Sequence, residues 1–419
     1  MQLVIIAGGK GTRLGLKEIP KPMVEIGNKP LLHHQIELAK KYGIKEIFIL
    51  SGHLHEVIEE YFGDGSKFNI KIHHIVEPYP LGTAGSLKLL EGKLDERFMV
   101  FYGDIVMDFD INSFISFDKQ YDSVGTLIAH PNDHPFDSDL IQIDKNNKVL
   151  NFLSKPHNEK YYQNLVNAAV YIFSNKIFNY IEKDKFQDFG KDILPKIVKN
   201  NENLYAYKTA EYIKDMGTKE RFEATKNDFL SKKVERLNKK NSRACIFIDR
   251  DGVINENMDT KPTLDNFKLL DNVEKAIKLI NKSEHLAIVI TNQPMIAKGF
   301  TTFDEVDKVH QKLETLLGDE GAYLNEIYYC PHHPEKGFDG EIPELKIKCK
   351  CRKPEIGLFL KAKEEYNIDF NKSWTIGDSK IDIEAGKKAG TKTISINGDF
   401  GADYNANNLL EAIEIILKN

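Results

Sequence analysis

Apolar residues fall along this chain in short dense runs separated by amphipathic stretches. Leu3–Ala7, Glu46–Leu50, Ile70–Val76 and Phe98–Tyr102 are β-branched or aromatic and too short for helices, which predicts strands. Leu31–Tyr42, Leu54–Phe62 and Thr83–Leu90 read as helices between them. This alternation predicts a parallel α/β sheet. Lys219–Lys240 is charged, weakly amphipathic and free of Gly and Pro, and reads as a terminal helix running into a linker. From Ala244 the pattern restarts. Strands are expected at Ala244–Ile248, Leu286–Thr291, Glu326–Tyr329, Trp374–Ile376 and Thr393–Ile396, with helices at Val273–Lys282, Phe303–Leu317 and Ile356–Tyr366. The chain therefore reads as α/β with two domains, 1–230 and 244–419, joined by a helical linker at 231–243. It has no internal repeat and no low-complexity segment.

Length agrees with this division, since 419 residues at about 150 per domain give two or three domains. A net charge of −5 gives no bulk attraction to nucleic acid, so any anion binding rests on local basic residues. No apolar run approaches the roughly 20 residues of a membrane span. The N-terminus enters a strand with no basic or apolar leader, so the expectation is a cytoplasmic protein. Three of the four cysteines cluster late in the chain, which fits metal better than a disulfide framework. A homo-oligomer is left open.

The first strand ends in Gly8-Gly9-Lys10-Gly11-Thr12-Arg13. Three glycines let backbone N–H groups approach phosphate oxygens, and Lys10 and Arg13 add positive charge. The glycine spacing fits neither a dinucleotide fingerprint nor a P-loop, and alone it is also compatible with a plain strand-to-helix turn. Further signals follow. Pro20-Lys21-Pro22-Met23 adds a cation, and Glu77-Pro78-Tyr79-Pro80-Leu81-Gly82-Thr83-Ala84-Gly85 makes a second glycine-rich turn. Gly103-Asp104 ends a hydrophobic strand, and Lys214-Asp215-Met216-Gly217-Thr218 supplies another carboxylate. Two carboxylates with basic loops suit Mg²⁺ and a triphosphate.

In this order the five motifs resemble the sugar-1-phosphate nucleotidyltransferases, with a Rossmann-like fold, over nearly the whole first half. The resemblance implies Lys10 and Arg13 on the triphosphate, backed by the Gly8, Gly9, Gly11 and Thr12 loop. It implies Lys21 on the attacking sugar phosphate, and Asp104 after Gly103, with Asp215, on Mg²⁺. Gly82 and Thr83 fall near base and ribose, Asn167 near the sugar, and Glu77 is a further substrate- or nucleotide-binding candidate. Where such families often carry E-K-P, this chain has Ser154-Lys155-Pro156. Lys155 stays a phosphate candidate, while sugar recognition differs at this point.

The second half opens on Asp249-Arg250-Asp251-Gly252 after an apolar strand. Thr291-Asn292-Gln293, Arg352-Lys353-Pro354 and Gly377-Asp378-Ser379 with Asp382 follow. This order resembles the haloacid-dehalogenase-like phosphatases, a Rossmannoid fold. The resemblance implies Asp249 as nucleophile, Asp251 as general acid and base, and Thr291 and Lys353 on the phosphoryl oxygens. Mg²⁺ is implied on Asp249, the Asp251 carbonyl and Asp378, with Asn292 and Arg352 on the substrate. Cys330-Pro331-His332 and Cys349-Lys350-Cys351 offer three thiolates and an imidazole, a set for structural Zn²⁺ with no open position. His333 is an alternative ligand, and Cys245 reads as core.

With the zinc clip, the resemblance narrows to the heptose-1,7-bisphosphate 7-phosphatases and the related histidinol-phosphate phosphatases. Pro294-Met295 stands where they usually have small residues, and Lys298 is retained as a nearby cation. The pairing implies a bifunctional enzyme taking a heptose bisphosphate to heptose 1-phosphate and then to a nucleotide sugar of the GDP-heptose type. GTP comes from the resemblance, since no residue reads guanine unambiguously. Two alternatives stay open: the same pair of activities on another sugar or histidinol phosphate, and a regulatory protein with inactive sites.

Overall fold

The computed structural model describes residues 1–9, 18–258 and 263–419. They form two compact units, each with its own hydrophobic core. The first comprises Met1–His130, Asp139–Ser154 and Val166–Asn238, and the second Pro131–Ser138, Lys155–Leu165 and Lys239–Asn419.

The first unit is built on a nine-stranded sheet. Strands Arg97–Tyr102, Leu3–Ile6, Glu46–Ser51 and Lys71–Val76 lie side by side in parallel. Leu3, Ile5, Ile47, Ile49, Met99 and Phe101 are fully buried in its core. Beyond Arg97–Tyr102 the sheet reverses. Val166–Ser174 pairs antiparallel with both Arg97–Tyr102 and Gly125–His130, and Leu140–Ile143 pairs antiparallel with Val149–Leu153. The sheet is therefore mixed, which corrects the all-parallel expectation. Between Gly125 and Ser174 the strands succeed one another with no α-helix between them. Short connections can join only antiparallel neighbours, because a parallel return needs a crossover of a dozen residues or more.

The four parallel strands end at one rim, where they release Ala7-Gly8-Gly9, Gly52, Glu77 and Gly103-Asp104. A two-stranded ribbon, Ile105–Asp108 with Tyr212–Asp215, continues from that rim. The expected terminal helix is two helices, Lys219–Leu230 and Lys233–Arg236, interrupted at Lys232 with φ +61°. A left-handed residue cannot continue an α-helix, so the break is local backbone geometry.

The second unit carries a six-stranded sheet in which every neighbouring pair is parallel. Its spatial order is Glu326–Cys330, Leu286–Asn292, Cys245–Ile248, Trp374–Gly377, Lys392–Ile396 and Tyr404–Ala406. Numbered along the chain this is 3-2-1-4-5-6, the doubly wound arrangement, with its switch point between Cys245–Ile248 and Trp374–Gly377. Helices Val273–Lys282 and Leu409–Lys418 bury Val273, Ala276, Ile277, Ile280 and Leu409, Ala412, Ile413, Ile416. Helix Phe303–Asp319 starts in a capping box made by Thr302 and Glu305. Thr315 on this helix accepts the Tyr162 backbone N–H at 3.0 Å. Among the described residues, no helix is long and apolar enough to cross a membrane.

Candidate active sites

In the first unit the candidate site is the rim of the parallel strands. Lys10, Gly11, Thr12 and Arg13 lie outside the described residues. The preceding Gly8 is held close, since a Cβ there would stand 2.5 Å from Glu77 Oε1. Glu77 accepts the Leu81 N–H at 3.1 Å, and burial pushes its carboxyl above the ordinary range. Gly9 has open space around it. Gly103 packs against Pro22 and the Ile6 carbonyl, and donates its own N–H to that carbonyl at 2.9 Å. This seats the Lys21 segment against the Asp104 strand end, and Lys21 Nζ is ion-paired with Asp104 Oδ2.

Asp215 reaches the same rim through the ribbon. Its register partner is Ile105, the residue after Asp104, and Met216 N–H donates to the Asp104 carbonyl at 3.2 Å. The fold thus brings two carboxylates 111 positions apart in sequence to adjacent places. Asp215 itself accepts from Arg221 at 2.9 Å and from Gly217 N–H at 2.7 Å.

Gly82 takes φ +75°, and a side chain there would run into the Gln187 carbonyl, so the second glycine-rich turn needs its glycine. Thr83 donates to Asp188 Oδ2 at 2.8 Å and accepts the Phe189 N–H at 3.0 Å. Behind it lies a buried polar chain. Tyr102 adjoins Thr83 and Tyr171, its ring edge-on and 6.0 Å from that of Tyr171, and Asn167 Nδ2 donates to the Tyr171 hydroxyl at 3.0 Å. Burial raises both phenols well above their ordinary range, so they stay neutral. Tyr102, Tyr171 and Asp188 adjoin the candidate residues Thr83 and Asn167, and the sequence reading did not single them out. Lys155 lies in the second unit, where it meets Asp137 Oδ1 at 3.0 Å and the Asp137 carbonyl at 2.8 Å.

In the second unit the site sits at the switch point. Lys353 Nζ reaches Asp249 Oδ1 at 2.7 Å, Asp382 Oδ1 at 2.6 Å and the Ile290 carbonyl at 2.7 Å. Burial opposes charge on Lys353, but the Asp249 and Asp382 carboxylates outweigh it and hold its pKa above the ordinary value. Carboxylate oxygens of Asp249, Asp378 and Asp382 all lie within 4.8 Å of one another. Burial first, then the Asp382 charge, pushes Asp249 up to about 7 and Asp378 up to about 6. Three carboxylates facing one ammonium are short of positive charge, and that deficit fits a divalent cation.

Asp251 points elsewhere. Its carboxylate takes Arg250 Nη2 at 3.0 and 2.9 Å, Asn255 Nδ2 at 2.9 Å and Gln293 Nε2 at 2.7 Å. Gln293 also donates to Thr291 Oγ1 at 3.0 Å, so a residue outside the initial site list links acid and phosphate candidates. Asn292 brackets Lys353, accepting its N–H at 3.0 Å and donating to its carbonyl at 3.2 Å. Gly252 has φ +81°, and an added methyl would collide with the Asp378 carboxylate.

Cys330, His332, Cys349 and Cys351 converge into one group whose ligand atoms all lie within 4.8 Å. Cys351 Sγ stands 3.2 Å from Cys330 Sγ, 3.3 Å from Cys349 Sγ and 3.2 Å from His332 Nδ1. No disulfide links them. Three free thiols around one imidazole nitrogen have the donor chemistry of a tetrahedral soft-metal site. His333 stands aside, with Nδ1 3.3 Å from the Glu335 carbonyl. Arg352 Nη1 donates to the His332 carbonyl at 3.4 Å, tying the group to the residue before Lys353. Cys245 is fully buried in its strand.

Comparison with known proteins gives both units a class. The family described as nucleotidyl transferase matches residues 2–232, and one described as HAD-hydrolase-like matches residues 350–410. The chain belongs to the nucleotidyl transferase family, and its second half to the family of heptose-bisphosphate 7-phosphatases. The second assignment rests on the D-glycero-β-D-manno-heptose-1,7-bisphosphate 7-phosphatase of Yersinia pestis, 34% identical over 176 residues, 40% of this chain and 92% of that protein. The UTP–glucose-1-phosphate uridylyltransferase of Synechocystis is 32% identical over 222 residues, 49% of this chain. The chain spans 57% of that relative's length. Among solved structures, HddC from Yersinia pseudotuberculosis is 30% identical, with a TM-score of 0.48, over 54% of this chain and 99% of that one.

Proposed function

We propose that the chain makes a nucleotide-activated heptose in two steps. Its second unit removes the 7-phosphate of D-glycero-D-manno-heptose 1,7-bisphosphate. Its first unit then transfers a nucleotidyl group, GMP from GTP, to heptose 1-phosphate and releases pyrophosphate. The observation that carries this reading is one chain holding two phosphate sites whose product and substrate match. The phosphatase product keeps the anomeric phosphate that a sugar-phosphate nucleotidyltransferase requires.

In the phosphatase, an Asp249 oxygen attacks phosphorus, the ester P–O bond breaks, and Asp251 gives a proton to the leaving C7 oxygen. Water then attacks the aspartyl-phosphate. Asp251 takes the water's proton, the bond to Asp249 breaks, and phosphate leaves. Lys353 favours the ionised nucleophile against the burial that raises it, and Thr291 offers its hydroxyl to the phosphoryl group. Asp249 and Asp378, with the Asp251 carbonyl, would hold Mg²⁺, which supplies charge neutralisation as the two anions meet. Cys330, His332, Cys349 and Cys351 would hold structural Zn²⁺, ordering the loop that carries Arg352 and Lys353.

In the transferase, an oxygen of the sugar phosphate attacks the α-phosphorus of the nucleotide and pyrophosphate departs. No protein nucleophile is needed, so orientation and charge do the catalysis. Lys10 and Arg13 serve the triphosphate, and Lys21 the attacking phosphate. Asp104 and Asp215 would hold Mg²⁺, and the Asn167–Tyr171–Tyr102–Thr83 chain forms the floor against which sugar and ribose are read. The domain limits 1–230, 231–243 and 244–419 belong to this proposal.

Incubation with heptose 1,7-bisphosphate, GTP and Mg²⁺, followed by ³¹P NMR, tests it. Inorganic phosphate should appear first, then pyrophosphate and GDP-heptose. A nucleotide sugar still bearing its 7-phosphate, or loss of the 1-phosphate, overturns the order.

A further inference from the structure

Arg250 is fully buried, between the two aspartates of the phosphatase motif. Its Nη2 spans both carboxylate oxygens of Asp251, while Nη1 lies 3.1 Å from His310 Nε2. His310 is itself buried, on helix Phe303–Asp319, with its ring 5.2 Å from that of Tyr329. A guanidinium has only donors, so its partner nitrogen on His310 must be an acceptor, which requires a neutral imidazole with its proton on Nδ1. Burial, and then the Arg250 charge, lower the His310 pKa well below its ordinary value, which agrees with that tautomeric demand.

We infer that His310 is a positioning residue for the phosphatase: it anchors the Arg250 fork, which in turn holds the Asp251 carboxylate in one orientation. Asp251 must deliver a proton to one place in the first step and collect one from nearly the same place in the second. A carboxylate on a single rotatable stem loses much of that efficiency if it turns. Asn255 and Gln293 each bind one of its oxygens, while Arg250 alone spans both. Without His310, Nη1 keeps its charge but loses this acceptor inside the protein, and the fork is free to tilt. This inference rests on the phosphatase reading and adds to it a residue 17 positions beyond Gln293 in sequence.

The test exploits leaving groups. A sugar alkoxide needs the proton from Asp251, whereas p-nitrophenolate leaves without one. First-turnover rates should therefore split in His310→Leu. Cleavage of an alkyl phosphate, the heptose bisphosphate or whichever sugar phosphate the wild type hydrolyses, should fall about tenfold. The burst of p-nitrophenolate from p-nitrophenyl phosphate should stay within about twofold of wild type. His310→Gln, which keeps an acceptor, should restore the alkyl rate. Arg250→Lys, which keeps the buried charge and loses the fork, should reproduce the split if His310→Leu does not fold. Equal losses on both substrates, or none on either, overturn the inference and leave the phosphatase reading standing. A wild-type chain that cleaves no phosphomonoester overturns both.

Discussion

The two sites handle the same functional group in opposite surroundings. At the transferase rim, the Lys21, Asp104 and Asp215 side chains are 13%, 32% and 45% exposed. At the phosphatase switch point, those of Lys353, Asp249 and Asp382 are 3%, 13% and 1% exposed. The difference follows from where the new bond forms. Nucleotidyl transfer, as proposed, joins two bound molecules, and the charged groups at this rim stay partly solvated. The proposed phosphatase chemistry passes through a bond to Asp249, and the structure holds that carboxylate desolvated against a buried ammonium. Burial makes charges there interact strongly, and this raises Asp249 and Asp378 out of the usual carboxylate range.

The largest effect that would sharpen this contrast is loss of the nucleophile. Asp249→Asn should cut phosphate release on the order of 10⁴-fold or more, with pyrophosphate release from GTP and heptose 1-phosphate unchanged. Loss of both activities in folded Asp249→Asn protein breaks the two-site picture. Asp104→Asn should do the reverse more gently, lowering pyrophosphate formation about 10²–10³-fold while sparing phosphate release. The milder loss is expected because Asp215 remains beside it at a solvated rim.

Next in size is the metal clip. Cys349→Ser should drop zinc content well below one per chain and destabilise the second unit by about 3 kcal/mol, read by elemental analysis and urea unfolding. Wild-type protein prepared without chelator and lacking zinc contradicts the clip. Smallest is Thr83→Val, which removes a donor to Asp188 and an acceptor for Phe189 N–H. A cost of about 1–2 kcal/mol is expected, with a raised KM for the transferase substrates and unchanged phosphatase kinetics.

What could be read from the sequence was whatever is written locally. Asp249, Thr291 and Asp378 each follow an apolar run, and a strand end is recognisable from a few neighbours. The clip could be read because Cys-x-His and Cys-x-Cys fix ligand distances over two residues. Contacts across the chain could not. The chain Asn167–Tyr171–Tyr102–Thr83 joins residues on apolar strands to a distant turn, where a tyrosine looks like any core aromatic. His310 lies at an ordinary helical position, and only the fold sets it beside Arg250. The reversal at Val166–Ser174 was hidden because strand composition carries no direction. Helices Lys380–Ala389 and Leu409–Lys418 went unassigned although both bury regular faces, the second with Leu409, Ala412, Ile413 and Ile416.

The Lys353 ammonium touches a carboxylate after the first strand of its sheet, a carbonyl within the second, and a carboxylate in the helix after the fourth. Those three partners meet only when the central strands are all in register. The site therefore doubles as a proof of assembly. A chain folded with one strand slipped keeps an aspartate at position 249 but loses the Lys353 partner on which the proposed chemistry relies. Correct register of the central strands is thus a condition for the Lys353 contacts, and a disturbance in any one of them reaches the same ammonium.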